Sequence, residues 1–364
     1  MPLYLTEDQR LLRDAAREFM AAEGSIESQL RHWRDRGCKD GFGHALWKQF
    51  GEMGFTGVLV PEAAGGLGLG AVEAGIVAEE IGRNLTPSPF LGTAVGAVVA
   101  LRDTDAGARW LPGILAGETV AAIAIDEGDK HRPERMETRA ERHGNGVRLT
   151  GAKSFVVQGA SADLLIIAAQ GEDGPALFAV EKGAEGMALE PVRLVDSSVA
   201  AHVRLEGVEA EPLGDAALFA RVLAHLRLGA AFEQVGAGTC AAELTAEYLK
   251  ERRQFGKLIG EFQTLQHRAA HLHSELEIAR AATLKAAQLL DEGDGQAELY
   301  VSVAKAKAGR AGALAVQEGV QMFGGVGMTD EYDIGLYMKR DRALSEWWGD
   351  ARYHAERVAS LSGY

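Results

Sequence analysis

The chemistry-bearing residues of this chain gather around Glu251 to His267, which reads Glu-Arg-Arg-Gln-Phe-Gly-Lys-Leu-Ile-Gly-Glu-Phe-Gln-Thr-Leu-Gln-His. Arg252 could clamp a phosphate, because a guanidinium offers a planar fork of donors. Phe255 could cover a planar ring, and Gln263 could supply a polar side chain from the following helix. Taken alone, the stretch reads as a basic turn between two helices. A second feature is Glu233, set in Gly229-Ala-Ala-Phe-Glu-Gln-Val-Gly236. A carboxylate among small and apolar residues is costly unless paired, so Glu233 is either a satisfied structural residue or a working acid or base. His267 and His271 stand one helical turn apart with Glu275 nearby, which is metal-ligand spacing; on a long helix of a bundle we expect no metal there. The glycine run Glu62-Ala-Ala-Gly-Gly-Leu-Gly-Leu-Gly70 lacks a surrounding series of strand-helix units, so it reads as a loop before a helix rather than a dinucleotide site. No Gly-x-Ser-x-Gly elbow and no phosphate loop ending in Gly-Lys-Ser or Gly-Lys-Thr occurs.

The elements that must position these residues fall into three segments. Thr6 with Gln9 forms a capping-box pattern, and Leu11, Leu12, Ala15, Ala16, Phe19 and Met20 give the helix one apolar face. Helices are expected over 45–55, 71–81, 93–101 and 106–115, with Gly57-Val-Leu-Val-Pro61 short and extended. Beyond Glu118 the period shortens. The runs 119–125, 138–142, 147–150, 153–157, 164–169, 176–180 and 200–205 are apolar or alternating, with turns such as Gly144-Asn-Gly146 and Gly171-Glu-Asp-Gly174 between them, which predicts a small antiparallel barrel or sandwich. From Asp215 the pattern is helical again over 215–251, 259–291 and 295–322, rich in Ala and Leu, as in an antiparallel bundle. The expected domains are therefore 1–117 (helical), 118–213 (β) and 214–364 (helical bundle), an α+β multidomain chain.

At 364 residues, 47% apolar and 25% charged, the chain has the composition of a soluble globular protein. A formal charge of -14 and the lack of a basic stripe argue against a nucleic-acid partner, though not against a local cationic pocket for one anionic ligand. Two cysteines, Cys38 and Cys240, suggest no disulfide framework and a reducing, cytoplasmic setting. The N-terminus lacks the pattern of a signal peptide, and no charge-free run of about 18 apolar residues suggests a membrane span.

Against this order of segments stand specific words. Leu5-Thr-Glu-Asp-Gln-Arg-Leu-Leu-Arg, Trp47-Lys-Gln-Phe-Gly-Glu-Met-Gly-Phe, Val60-Pro-Glu-Ala-Ala-Gly-Gly-Leu-Gly and Ala78-Glu-Glu-Ile-Gly-Arg resemble the N-terminal domain of acyl-CoA dehydrogenases. Arg252-Arg-Gln-Phe-Gly-Lys with Gln263, and Gln321-Met-Phe-Gly-Gly-Val-Gly, resemble that family's flavin-binding words. The resemblance covers essentially the whole chain in the right order. It implies the acyl-CoA dehydrogenase fold: an N-terminal helical domain, a middle small antiparallel β-barrel and a C-terminal four-helix bundle. It also implies a homotetramer or dimer of dimers binding FAD where two subunits meet, and electrons passed to an electron-transfer flavoprotein or similar acceptor. In such an enzyme a carboxylate removes the proton α to an acyl-CoA thioester while the β-hydrogen leaves as hydride to the flavin. That needs a hydrogen-bonded thioester oxygen and a base whose pKa is raised in a dry pocket. By position Arg252, Phe255 and Gln263 would contact the FAD pyrophosphate and adenosine end, Gln321, Gly324 and Gly325 would line the same cofactor, and Arg227 matches the family's arginine near the acyl-CoA entrance.

The pattern breaks at the base. Of the family's two positions for the catalytic glutamate, one falls on Trp348 in Trp347-Trp348-Gly349-Asp350 and the other on Leu226. The family's Thr-Glu-Pro-Gly-Ala-Gly-Ser-Asp loop is here Asp126-Glu-Gly-Asp129-Lys, and its aromatic-Ile-Thr word is Phe155-Val156-Val157, which keeps an aromatic face and loses the hydroxyl. The resemblance then allows three readings. The chain is the accessory subunit of an α2β2 acyl-CoA dehydrogenase, a type known in bacterial breakdown of steroid side chains, whose base lies on a related chain. Alternatively it is a self-sufficient homomer using Glu233, Glu346 or Asp350, although Asp350 fits a cap or flavin-ribityl contact better. In the third, it binds FAD or acyl-CoA without catalysis. Trp347 and Trp348 would wall an acyl cavity or belong to the core.

Overall fold

Thr6 does open the first helix. Its hydroxyl accepts from the Gln9 amide and the Gln9 side chain accepts from the Thr6 amide, closing the capping box ahead of α1 (Glu7–Ala22). The computed structural model describes residues 3–144 and 146–364; Asn145, within the turn expected at 144–146, and Met1 and Pro2, at the start of the N-terminus read for a leader, lie outside the described residues. The chain forms two compact units. One comprises 75–86 and 230–364 with the N-terminal segment to Ser28, and the other 29–74 and 87–229.

In the second unit lie the helices α2 (His32–Asp35), α3 (His44–Glu52), α5 (Val98–Leu101) and α6 (Asp105–Leu115), whereas α4 (Ala71–Asn84) runs mainly in the first. The stretch 57–61 is not extended. The glycine run folds back on it, so that the amides of Leu67, Gly68 and Leu69 donate to the carbonyls of Gly57, Val60 and Val58. Only glycine fits at Gly66, where a Cβ would lie 2.2 Å from the Val60 carbonyl oxygen.

Seven strands follow: β1 (Ala121–Ala124), β2 (Arg139–His143), β3 (Gly146–Val157), β4 (Leu164–Gly171), β5 (Gly174–Glu181), β6 (Met187–Arg193) and β7 (Val199–Gly214). Strands β4, β2, β3, β7 and β5 pair in that order and β5 returns to β4, which closes a small barrel; β1 and β6 attach outside the ring. Inward alternation fills it with Leu149, Val156, Leu165, Ile167, Phe178, Val180, Val203 and Leu205. The pairing is antiparallel except that β1 runs parallel to β4 and a single Arg139–Gln170 pair joins β2 to β4 in parallel.

The remaining chain is helical: α7 (Ala216–Glu251), α8 (Gln263–Asp291), α9 (Ala297–Phe323), α10 (Ile334–Glu346) and α11 (Ala351–Leu361). Small residues bring α7, α8 and α9 close. A Cβ on Gly238 would sit 3.0 Å from Leu276 and 3.3 Å from the Gly312 Cα, around a core of Ala231, Val235, Leu272, Leu276, Ala308 and Ala315. Between α7 and α8 lies a two-pair hairpin, β8 (Arg253–Gln254) and β9 (Lys257–Leu258). Its two turn residues, Phe255 and Gly256, both have positive φ (54° and 82°), as a primed hairpin turn requires.

Candidate functional site

The expected cofactor residues are surface residues. Arg252, Phe255, Gln263, Gln321, Gly324 and Gly325 are all exposed, and Phe255, at the hairpin tip, is 90% exposed. A phenyl ring held outward on a turn with positive φ is an unusual use of a large apolar side chain. Three aromatic rings that sequence reasoning passed over join the two words that carry these residues. Tyr248, one helical turn before Arg252, stacks on Phe323 with ring centroids 4.2 Å apart, and Tyr332 packs edge-on against both. The C-terminal ends of α7 and α9 thus lie side by side. At the latter, Gly324 (φ +68°) and Gly325 have nothing within 4 Å of a would-be Cβ, so backbone there is open to close approach. An exposed guanidinium, an exposed ring and open glycine backbone fit the anionic and planar parts of a dinucleotide such as FAD.

The candidate bases are otherwise engaged. Glu233 is buried, and Nε and a terminal nitrogen of Arg340 approach its Oε1 at 2.7 and 2.6 Å. Arg340 in turn lies over the Trp347 ring, 4.6 Å from its centroid. The neighbouring residues repeat the connection: Gln234 donates to Asp341 at 3.2 Å and accepts from the buried Lys305 at 3.0 Å. Burial raises the Asp341 carboxyl to about 6, against the opposing pull of the Gln234 hydrogen bond and Lys305. Glu346 pairs with Arg342 on its own helix. Asp350 is the N-cap of α11, accepting from the amides of Arg352 and Tyr353. Trp348 is buried with φ 55°, its carbonyl accepting from Nε2 of His354 at 3.0 Å.

In the barrel unit, Leu226 is fully buried, with its Cδ2 and the Ile123 side chain both within 2.8 Å of a Cβ placed at Gly96. The neighbouring Arg227 is 4% exposed and donates to Nε2 of His131 at 2.9 Å, while Nδ1 of His131 lies 2.7 Å from Asp126. The loop that carries Asp126 is tied down on all sides. The buried Lys153 donates to the Ile125 carbonyl and to Glu127, Glu127 accepts from the amides of Glu137 and Thr138, and the Ser154 amide donates to the Asp126 carbonyl. Burial pushes the Glu127 carboxyl up, but the charge of Lys153 and the hydrogen bonds that Glu127 accepts outweigh it together and hold the carboxyl below the usual range. Phe155 is 41% exposed with φ 53°, at a register shift between β3 and β7, and meets His202 edge-on at 4.8 Å. The bulge turns the ring outward, where it can face a planar ligand. Among the described residues no group of three or more His, Cys, Asp and Glu could hold a metal, and Glu275 receives Lys307. Among the described residues no helix is long and apolar enough to cross a membrane.

The chain is similar to known proteins along nearly its whole length. The acyl-CoA dehydrogenase N-terminal domain family matches residues 6–118, and its C-terminal domain family matches 216–361. The chain is 32% identical to acyl-CoA dehydrogenase FadE12 of Mycobacterium tuberculosis over 363 residues, covering 93% of this chain and 91% of that protein. Among solved structures, a chain of the Tcur3481-Tcur3483 steroid ACAD shares 31% identity with a TM-score of 0.92, covering 98% of both chains. A chain of the ChsE4-ChsE5 complex from Mycobacterium tuberculosis shares 25% identity with a TM-score of 0.92, covering 100% of both.

Proposed function

We propose, for a chain that belongs to the acyl-CoA dehydrogenase family, that it serves as a subunit of an FAD-dependent enzyme desaturating an acyl-CoA thioester. Its part is to complete an FAD site shared between chains, with the base supplied by a related chain. The observation that carries this reading is a contrast in exposure. The cofactor-facing residues Arg252, Phe255, Gln263, Gln321, Gly324 and Gly325 stand on the surface. Both positions that the family uses for its base hold buried side chains without a proton acceptor, Leu226 and Trp348. The other carboxylates are engaged, Glu233 by Arg340 and Asp350 as a helix cap.

Bound FAD supplies a hydride acceptor for the β-hydrogen. Arg252 would neutralise the pyrophosphate of an FAD shared with a neighbouring chain, and Phe255 and the open backbone at Gly324 and Gly325 would pack on that nucleotide; Phe155, in the barrel unit, would face a flavin ring of its own. Arg227 would meet the acyl-CoA. The names of two similar structures support a two-chain assembly, since ChsE4-ChsE5 is a complex and the Tcur3481-Tcur3483 enzyme is a steroid ACAD. A steroid acyl-CoA is therefore the first substrate to try, with electron-transfer flavoprotein or a similar acceptor. Domain boundaries at 117/118 and 213/214 are supported by the ends of the two family matches at 118 and 216. A cytoplasmic location agrees with the absence of a candidate membrane-spanning helix among the described residues.

The test is reconstitution. The chain alone should not reduce an electron acceptor with steroid or straight-chain acyl-CoA, and co-expression with a related dehydrogenase chain should confer turnover. Turnover by the chain alone would defeat the proposal.

A further inference from the structure

Nothing in the resemblance assigns a role to His131, yet its two ring nitrogens are committed in one sense only. Every nitrogen of a guanidinium donates, so Nε2 of His131, 2.9 Å from Arg227, must accept. The ring proton therefore sits on Nδ1 and is donated to Asp126 at 2.7 Å. Protonating the ring would place an N–H against the guanidinium. Both His131 and Arg227 are buried, at 6% and 4% exposure, and the ring is held neutral chiefly by burial, with Arg227 acting in the same direction against Asp126 and Glu134. Asp126 is itself fixed, through the Ser154 amide on its carbonyl and the flanking Lys153–Glu127 pair.

We propose that His131 is a positioning residue: held as the Nδ1–H tautomer by Asp126, it presets the Arg227 guanidinium that meets the acyl-CoA. A long arginine side chain loses rotamer freedom when it binds a ligand. Fixing the guanidinium beforehand removes that cost, and a neutral imidazole does so while leaving the positive charge on the arginine. A carboxylate in the same place would neutralise it. Asp126 stands one ring further away, where it selects the tautomer rather than pairing with the guanidinium directly. The proposal rests on the reading of Arg227 as the residue that faces substrate.

The test uses the full chain in the assembly in which it is purified, with acetyl-CoA as the calorimetric probe and histidine-selective 15N spectra to read the tautomer. His131 should appear as an Nδ1–H ring that stays more neutral than a free histidine around the ordinary imidazole pKa of about 6.5. Asp126→Leu removes the acceptor of the Nδ1 proton and should free the ring to take the Nε2–H tautomer or to turn away from Arg227. Asp126→Leu and His131→Phe should each weaken acetyl-CoA binding about tenfold with flavin content unchanged. His131→Gln, which retains an acceptor for Arg227, should bind like the wild type. An Nε2–H or charged ring, or wild-type binding by Asp126→Leu and His131→Phe while Arg227→Ala is weakened, would overturn the positioning role and leave the Arg227 reading standing. Wild-type binding by Arg227→Ala would overturn that reading and the proposal with it.

Discussion

Arg340 grips Glu233 through two nitrogens of its guanidinium, at 2.7 and 2.6 Å, and rests on the ring of Trp347. The carboxylate that looked most like a replacement base in the sequence is thus the α7 end of a connection to α10 and to the tryptophan beside Trp348. A buried pair broken on one side leaves an unmatched charge, at a cost of about 3–5 kcal/mol. Glu233→Ala is therefore expected to lower the denaturation midpoint substantially. Glu233→Gln, which can still accept from Arg340, should be destabilised less and should leave turnover of the assembled enzyme intact. Lost turnover in a fully stable Glu233→Gln enzyme would make Glu233 the base after all.

Arg252 is exposed, so Arg252→Ala should hardly change the melting temperature. It should weaken FAD binding by about 1.5–3 kcal/mol, the worth of one charge-assisted hydrogen bond, measurable by flavin titration of the assembled enzyme. Unchanged affinity would remove Arg252 from the cofactor surface.

Asp350 caps α11 through two backbone amides. Asp350→Ala should cost about 0.5–2 kcal/mol of stability, while Asp350→Ser or Asp350→Asn should restore most of it, read by thermal unfolding. A catalytic acid or base would show the opposite signature: full stability and no turnover.

The Asp341 carboxyl, raised to about 6 mainly by burial, gives a pH dependence of definite sign. The folded state holds this proton more tightly than the unfolded one, so its stabilising effect is complete below the ordinary carboxylate pKa and is lost as pH rises from about 4 to 6. His225, lowered to about 4 by burial, acts in the opposite direction: its contribution is present above the ordinary histidine pKa of about 6.5 and is lost as pH falls toward 4. The two should partly cancel in the wild type. Asp341→Asn removes the first, so its stability relative to wild type should rise on the order of 3 kcal/mol between pH 4 and 6. A flat difference in pH-dependent denaturant unfolding would contradict the assignment.

What the sequence made legible was local. The capping box of Thr6 and Gln9, the helical periods and the turns between strands all have short-range signatures, and they recur in the structure. Strand β6 escaped because Glu190 and Pro191 interrupt its alternation and much of it is exposed, so burial leaves little pattern. The parallel pairing of β1 with β4 and the closing of the barrel depend on contacts that no window of sequence contains. The same holds at the site. Arg252 and Phe255 stood out through a compact word, whereas Glu233 finds Arg340 at a separation of 107 residues and His131 finds Arg227 at 96. An isolated Glu in an apolar helix signalled that some partner must exist; which one, only the fold could say. Tyr248 and Phe323 gave no signal beyond ordinary helix-face aromatics, and Tyr332 none beyond a turn aromatic.

We propose that this chain presents a cofactor surface to a neighbouring chain while lacking a base of its own. The proposal is tested most directly by the flavin content per subunit of the chain purified alone and with its related dehydrogenase chain. Little or no flavin is expected in the chain alone, and FAD bound together with acyl-CoA-dependent flavin bleaching once the second chain is present. One FAD per subunit in the chain alone, bleached by an acyl-CoA, would contradict it.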